Sequence, residues 1–190
     1  MTQSEVINYL IPYRLQALET LQFAWVWSGE SSSPRHVTVL EGDKVKLNCN
    51  VAALANPMIE AGLIHARALL EFMGLTAEKR RLVAVKNRRA DDFGIEKILT
   101  QEGKPLLKIS PEIVFKAYNG LSINAESSLV AIFEWSNKGH AHVTSGLDKL
   151  PYTELHLENA CKGIPILLHE NLYAKLGLPF PNYPSAFPQD

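Results

Sequence analysis

Arg67 and Glu71 are a cation and an anion four residues apart in NPMIEAGLIHARALLEFMGL, the segment from Asn56 to Leu75. That spacing brings two side chains together on one helix face. Glu60 lies two turns before Arg67 on the same face, whereas His65 lies about 140° from Glu60 at 100° per residue. Apolar residues occupy two other sides: Ile59, Leu63, Ala66 and Leu70, and then Leu69 and Phe72. Burial of such a helix forces its polar side chains to find partners or a site. Two readings follow for Glu60, Arg67 and Glu71: a buried ion-pair ladder, or a direct catalytic or ligand-binding role for Arg67 or Glu60. For His65 the expectation is a satisfied core histidine.

The second chemical stretch is LVAIFEWSNKGHAHVTSG, from Leu129 to Gly146. On a continuing helix Trp135, Lys138 and His142 form a stripe, and the Lys138 charge would lower the His142 pKa. A neutral imidazole near pH 7 is what a general base needs. The competing reading is a packing or capping histidine at a helix end. His140 and His142 form an HxH pair whose rings face one side only on an extended segment. With His65, His156 or Glu60 they could then bind zinc or manganese, but no HExxH or clustered carboxylates accompany them. No cofactor is expected.

A third group is basic: Lys79, Arg80, Arg81, Lys86, Arg88 and Arg89. These could contact nucleic-acid phosphates even on a protein without net positive charge. No aromatics are interleaved to stack bases, and Asp91 and Asp92 follow, so a solvated, irregular surface connection is the alternative. A Gly-rich phosphate loop, a GxSxG elbow and a Cys/His nucleophile pair are all missing from the sequence.

The elements that must position these groups are mostly helical. Residues 4 to 27 read as a helix restarted at Pro12, with Leu15, Leu18, Leu21 (or Gln22) and Trp25 facing the core. SGESSSPRH is a loop, and the alternation around Gly42 and Asp43 in HVTVLEGDKVKLNCN suggests a small hairpin. Asn56 and Pro57 supply an N-cap and first-turn proline, and Gly74 a left-handed stop. Ser110 and Pro111 open a short helix that Asn119 and Gly120 close. Asn124 caps another, from Ala125 to about Lys138. Thr153 starts the last helical region, broken near Gly163 and Pro165 and stopped by Gly177. The expected fold is mainly α: a bundle of about five helices with a small β-hairpin, and the 57 to 73 helix at its centre. Residues 1 to 178 are expected to form a single helical domain. Residues 179 to 190 form an extended Pro/aromatic tail whose Phe180, Tyr183 and Phe187 could dock on a protein partner or pack on the domain itself.

Bulk composition agrees with a folded domain. The chain has 190 residues, 46% of them hydrophobic, and 19 basic against 20 acidic side chains, a net charge of −1. Field-wide attraction to nucleic acid or anionic membrane is therefore not expected, and any such binding would need a local patch. Cys49 and Cys161 belong to no CxxC pair and are expected as buried free thiols. MTQSEVINYL lacks a basic start and a long apolar run, so a cytoplasmic protein without membrane association is the default expectation.

SNKGHAHVT resembles the RNKxxAHxD/T type of signature of HEPN-like helical bundles, particularly those related to bacterial abortive-infection and toxin proteins. Asn137, Lys138, Ala141, His142 and Thr144 match it, and His142 takes the place of the family's catalytic histidine. The helix NPMIEAGLIHARALLEFMGL is also similar to helices of uncharacterised small bacterial proteins of this kind. The resemblance implies an RNA-associated or phage-defence module, a homodimer, and metal-independent RNA cleavage. In that chemistry the histidine handles protons for a 2′-hydroxyl attack while an arginine stabilises charge on the phosphate. The position of that arginine is Ser136 here. Arg67, from the neighbouring helix, is the candidate replacement, which requires Arg67 and His142 to share a cleft. The alternative is a catalytically silent interaction module that keeps the bundle.

Overall fold

In the computed structural model, residues 1–29, 35–117, 122–140 and 150–183 are described, without the side chains of 117, 122–124 and 138–140. The chain opens with a capping box in which Thr2 and Glu5 bond each other's backbone N–H, starting the single turn α1 (Gln3–Glu5). A π-helical turn, Val6–Leu10, leads into α2 (Ile11–Gly29), so the helix continues through Pro12. Ile11, Leu15, Leu18, Leu21 and Ala24 make its buried stripe.

β1 (His36–Glu41) and β2 (Lys44–Asn50) form the antiparallel hairpin suggested by the alternation, with Gly42 left-handed in the turn. α3 (Val51–Met73) then starts six residues earlier than Pro57 suggests. Asn50, not Asn56, is the N-cap, its side chain accepting from Ala52 N at 2.8 Å. VAALA is good helix-forming sequence, and Pro57 is tolerated inside because it leaves the Ala53 carbonyl without its donor on an exposed side of the helix. Gly74 ends α3 with φ 98°, as its position predicts.

The basic stretch is more ordered than an irregular connection. β3 (Leu75–Glu78) and β4 (Arg81–Ala84) pair antiparallel around a two-residue turn, with Lys79 and Arg80 both at positive φ. This is the twist a tight hairpin requires, adopted here without glycine. α4 (Pro111–Ala117) is the short helix predicted; Asn119 and Gly120 lie outside the described residues. α5 (Ser122–His140) is already helical three residues before Ala125, so Asn124 stands within its first turn and is not the cap.

α6 (Glu154–Leu168) starts after Thr153 as expected but passes through Gly163 and Pro165 without a break. The irregularity comes later, as a π-helical turn at His169–Tyr173, before α7 (Ala174–Leu176) and the left-handed Gly177. Gly163 is buried, and Pro165 costs one helix bond where the next turn can widen.

The result is a mainly α bundle with two small hairpins. α3 is central, packing on α2, α5 and α6. α5 is buried nearly all round, through Ala125, Leu129, Val130, Ala131, Ile132, Phe133 and Trp135. One continuous core runs from Val6 to Leu176, and Phe180 and Tyr183 pack against it. Phe180 meets the rings of Tyr173 and His169 edge-on, and the Tyr173 hydroxyl donates to the Ile7 carbonyl at 2.9 Å. These two tail aromatics thus serve the protein's own surface, while Phe187 lies outside the described residues. Among the described residues, no helix is long and apolar enough to cross a membrane.

Candidate functional site

Where α3 faces α5, Arg67 reaches across to the motif segment. Its Nε donates to Glu71 Oε1 at 2.8 Å, as the spacing predicts, and its Nη1 donates to Asn137 Oδ1. The guanidinium carbon also lies 6.0 Å from the Phe133 ring centre. Phe133 and Asn137 are one helical turn apart on α5, so Arg67 spans two neighbours on that face. The pair with Glu71 is not the buried ladder anticipated, since the side chains are 35% and 38% exposed. Glu60 is exposed and lies about 10 Å farther along the helix axis, outside the lining of the groove described next.

Arg67 and Glu71 line an open groove of about 660 Å³ together with Thr76, Glu78, Val85, Lys86, Asn87, Arg88, Arg89 and Asp92. Four cations and three carboxylates therefore share it. Three of the basic residues singled out in the sequence, Lys86, Arg88 and Arg89, come to the same place as Arg67. The other three do not, because the β3–β4 turn carries them toward α5. Arg80 approaches Glu134 at 4.0 Å, and Arg81 pairs with Glu126 at 3.1 Å. Glu126 also accepts from Leu82 N, so it clips the hairpin onto α5. Lys79 is exposed at the turn.

Arg88 plays a different part from its neighbours. Its Nε and Nη2 grip both oxygens of Glu96, at 2.7 and 3.3 Å, and Nη2 also caps the Phe72 carbonyl near the end of α3 at 3.1 Å. Burial raises the Glu96 pKa, but the Arg88 hydrogen bonds, with the charges of Arg88 and Lys108, outweigh it and leave the carboxyl lowered. No spacing rule could have found this pair, because Arg88 lies on an irregular segment and Glu96 in a separate 3-10 turn, Ile95–Lys97.

His65 points the other way, toward α2. Its Nδ1 is 3.0 Å from Arg14 Nη1 and its ring meets Tyr13 edge-on. An arginine can only donate, so Nδ1 accepts and the proton sits on Nε2. Burial, followed by the Arg14 charge, pushes the His65 pKa down. His65 is half-buried and satisfied, about 200° around α3 from Arg67.

His142 and Thr144 lie outside the described residues, as do the side chains of Lys138 and His140. Trp135 is buried between Trp25 and Tyr152, on the side of α5 roughly opposite Asn137. Ser136, at the motif arginine's position, is also buried, and its hydroxyl donates to the Phe133 carbonyl. Among the described residues, no three His, Cys, Asp or Glu side chains are grouped to hold a metal ion. Cys49 is half-buried and Cys161 buried, both free thiols, the latter pushed up to about 12 by burial. Comparison with family models, curated proteins and solved structures finds no match.

Proposed function

We propose that the groove beside Arg67 is the RNA-contacting site of a HEPN-like module. Arg67 supplies the guanidinium that Ser136 omits, and His142 handles the proton of the attacking 2′-hydroxyl. The observation that carries this reading is the hydrogen bond from Arg67 to Asn137, the first matched residue of SNKGHAHVT. It puts a cation from another helix against the motif. Lys86 and Arg89 on the same groove add charge for neighbouring phosphates. On one continuous helix His142 would fall about 140° from Asn137; residues 141–149 lie outside the described residues.

One observation favours the second reading, a catalytically silent interaction module: Ser136 is buried at the site where an active bundle would present arginine. Cleavage of a labelled single-stranded RNA by wild type, His142→Ala and Arg67→Ala separates the two. The ribonuclease reading expects activity that survives EDTA and falls roughly 100-fold or more in each variant. Equal activity in all three, or none in wild type, leaves the silent module. The same reading expects a homodimer, checked by light scattering.

A further inference from the structure

Of the three arginines that line the groove, Arg67 and Arg88 differ in their hydrogen bonds in a way that separates a structural cation from a binding one. The Nε and Nη2 donors of arginine form the parallel edge that grips a carboxylate or phosphate bidentately. In Arg88 both donors of that edge are spent on Glu96, and the side chain is only 12% exposed. In Arg67 the edge is half used: Nε donates to one oxygen of Glu71, while Nη2 has no acceptor among the described residues. Asn137 accepts from Nη1, on the other side of the guanidinium, and the Phe133 ring centre lies 6.0 Å from its carbon, so two contacts that do not involve Glu71 also hold the group.

From this geometry we infer that Glu71 is an internal competitor for the anion-gripping edge of Arg67. A phosphodiester group of RNA enters the groove by exchanging with that carboxylate. The inference rests on the RNA-contacting reading above and adds the residue that sets its affinity. Exchange needs no opening of the core, because both partners are more than one-third exposed to the groove. The carboxylate leaves one oxygen's worth of contact, and the phosphate gains two parallel donors. Glu78 and Asp92 line the same groove, so removing the charge of Glu71 shifts its balance further toward cations. Glu71 thereby makes binding weaker than the cations alone would, and easily reversed.

The test is fluorescence anisotropy with a labelled single-stranded RNA of mixed sequence, over a salt series, using the full chain. Wild type, Glu71→Gln, Arg67→Gln and the double variant are compared, each checked for an unchanged far-UV circular dichroism spectrum. Glu71→Ala stands in should the amide disturb the helix. Glu71→Gln is expected to bind roughly two- to fivefold tighter, the worth of a partly exposed ion pair. Arg67→Gln is expected to weaken binding and lower the salt slope by about one, and the double variant to show no gain over it. If Arg67→Gln weakens binding while Glu71→Gln leaves it unchanged or weaker, the competitor role is overturned and the RNA-contacting reading stands. An equal gain from Glu71→Gln in the Arg67→Gln background also overturns it, since the effect is then general charge. If no folded variant binds RNA, both readings fall.

Discussion

Arg88 and His65 are polar groups whose roles depend on what lies across from them. Truncating Arg88 leaves Glu96, 28% exposed, facing Lys108 alone at 3.7 Å and uncaps the Phe72 carbonyl. Arg88→Ala is therefore expected to cost roughly 1–3 kcal/mol in urea denaturation. Lys86→Ala, exposed on the same groove, should stay within about 0.5 kcal/mol. Equal losses would mean that Arg88 is a surface charge like its neighbour. His65 gives a pH dependence. Its folded pKa lies below the ordinary 6.5, so the folded state binds the proton less readily than the unfolded chain. That contribution is complete above about pH 6.5 and is lost as pH falls through the lower folded value. Urea midpoints from pH 8 to 5 should drop for wild type across this window and flatten in His65→Gln, whose side chain still accepts from Arg14. Glu96 adds a separate loss, beginning only below about pH 4.5, because its folded pKa is also lowered.

Helix α3 owes its central place to a small residue. Gly62 is buried against α2, where an added Cβ would overlap the Leu21 Cβ and stand 3.0 Å from the Ala17 carbonyl oxygen. Backbone rather than a flexible tip is in the way, so the helices must separate. Gly62→Ala gains helix propensity of about 1 kcal/mol yet is expected to destabilise overall by roughly 1–2 kcal/mol. A thermal melt reads the sign. Higher stability in the variant would show that the α2–α3 contact has room that the packing denies. The same close approach positions the site, because it sets the rotation of α3 that turns Arg67 toward α5 and His65 toward α2.

At the scale of the molecule, the C-terminal segment closes the bundle. Phe180 packs on Tyr173 and His169, and Tyr183, packed against the core, lines a cavity of about 180 Å³ together with Leu15, Leu18, Cys161 and Pro165. Burial of the Tyr183 hydroxyl, and then the nearby charge of Glu19, raise its pKa. A chain ending at Gly177 is expected to lose roughly 2–3 kcal/mol of stability as these two half-buried rings disappear. Phe180→Ala should account for about half of that. Melting temperatures unchanged by truncation would instead return the tail to solvent and to a partner.

Periodicity determined the helical bundle, the first hairpin, the cap at Thr153, the stops at Gly74 and Gly177, and the pairing of Arg67 with Glu71. All of these are set by contacts within a few residues of chain. It misplaced the start of α3, because Asn–Pro also fits inside a helix when the freed carbonyl reaches water, and it put a break at Pro165 that the π turn absorbs farther on. Meetings across the fold had no local signal. Arg67 with Asn137, Arg88 with Glu96, Arg14 with His65, and the gathering of Lys86 and Arg89 beside Arg67 were decided only when α3 docked on α2 and α5. Which side of a helix faces which neighbour depends on the packing of all the others, and no short window of sequence contains that.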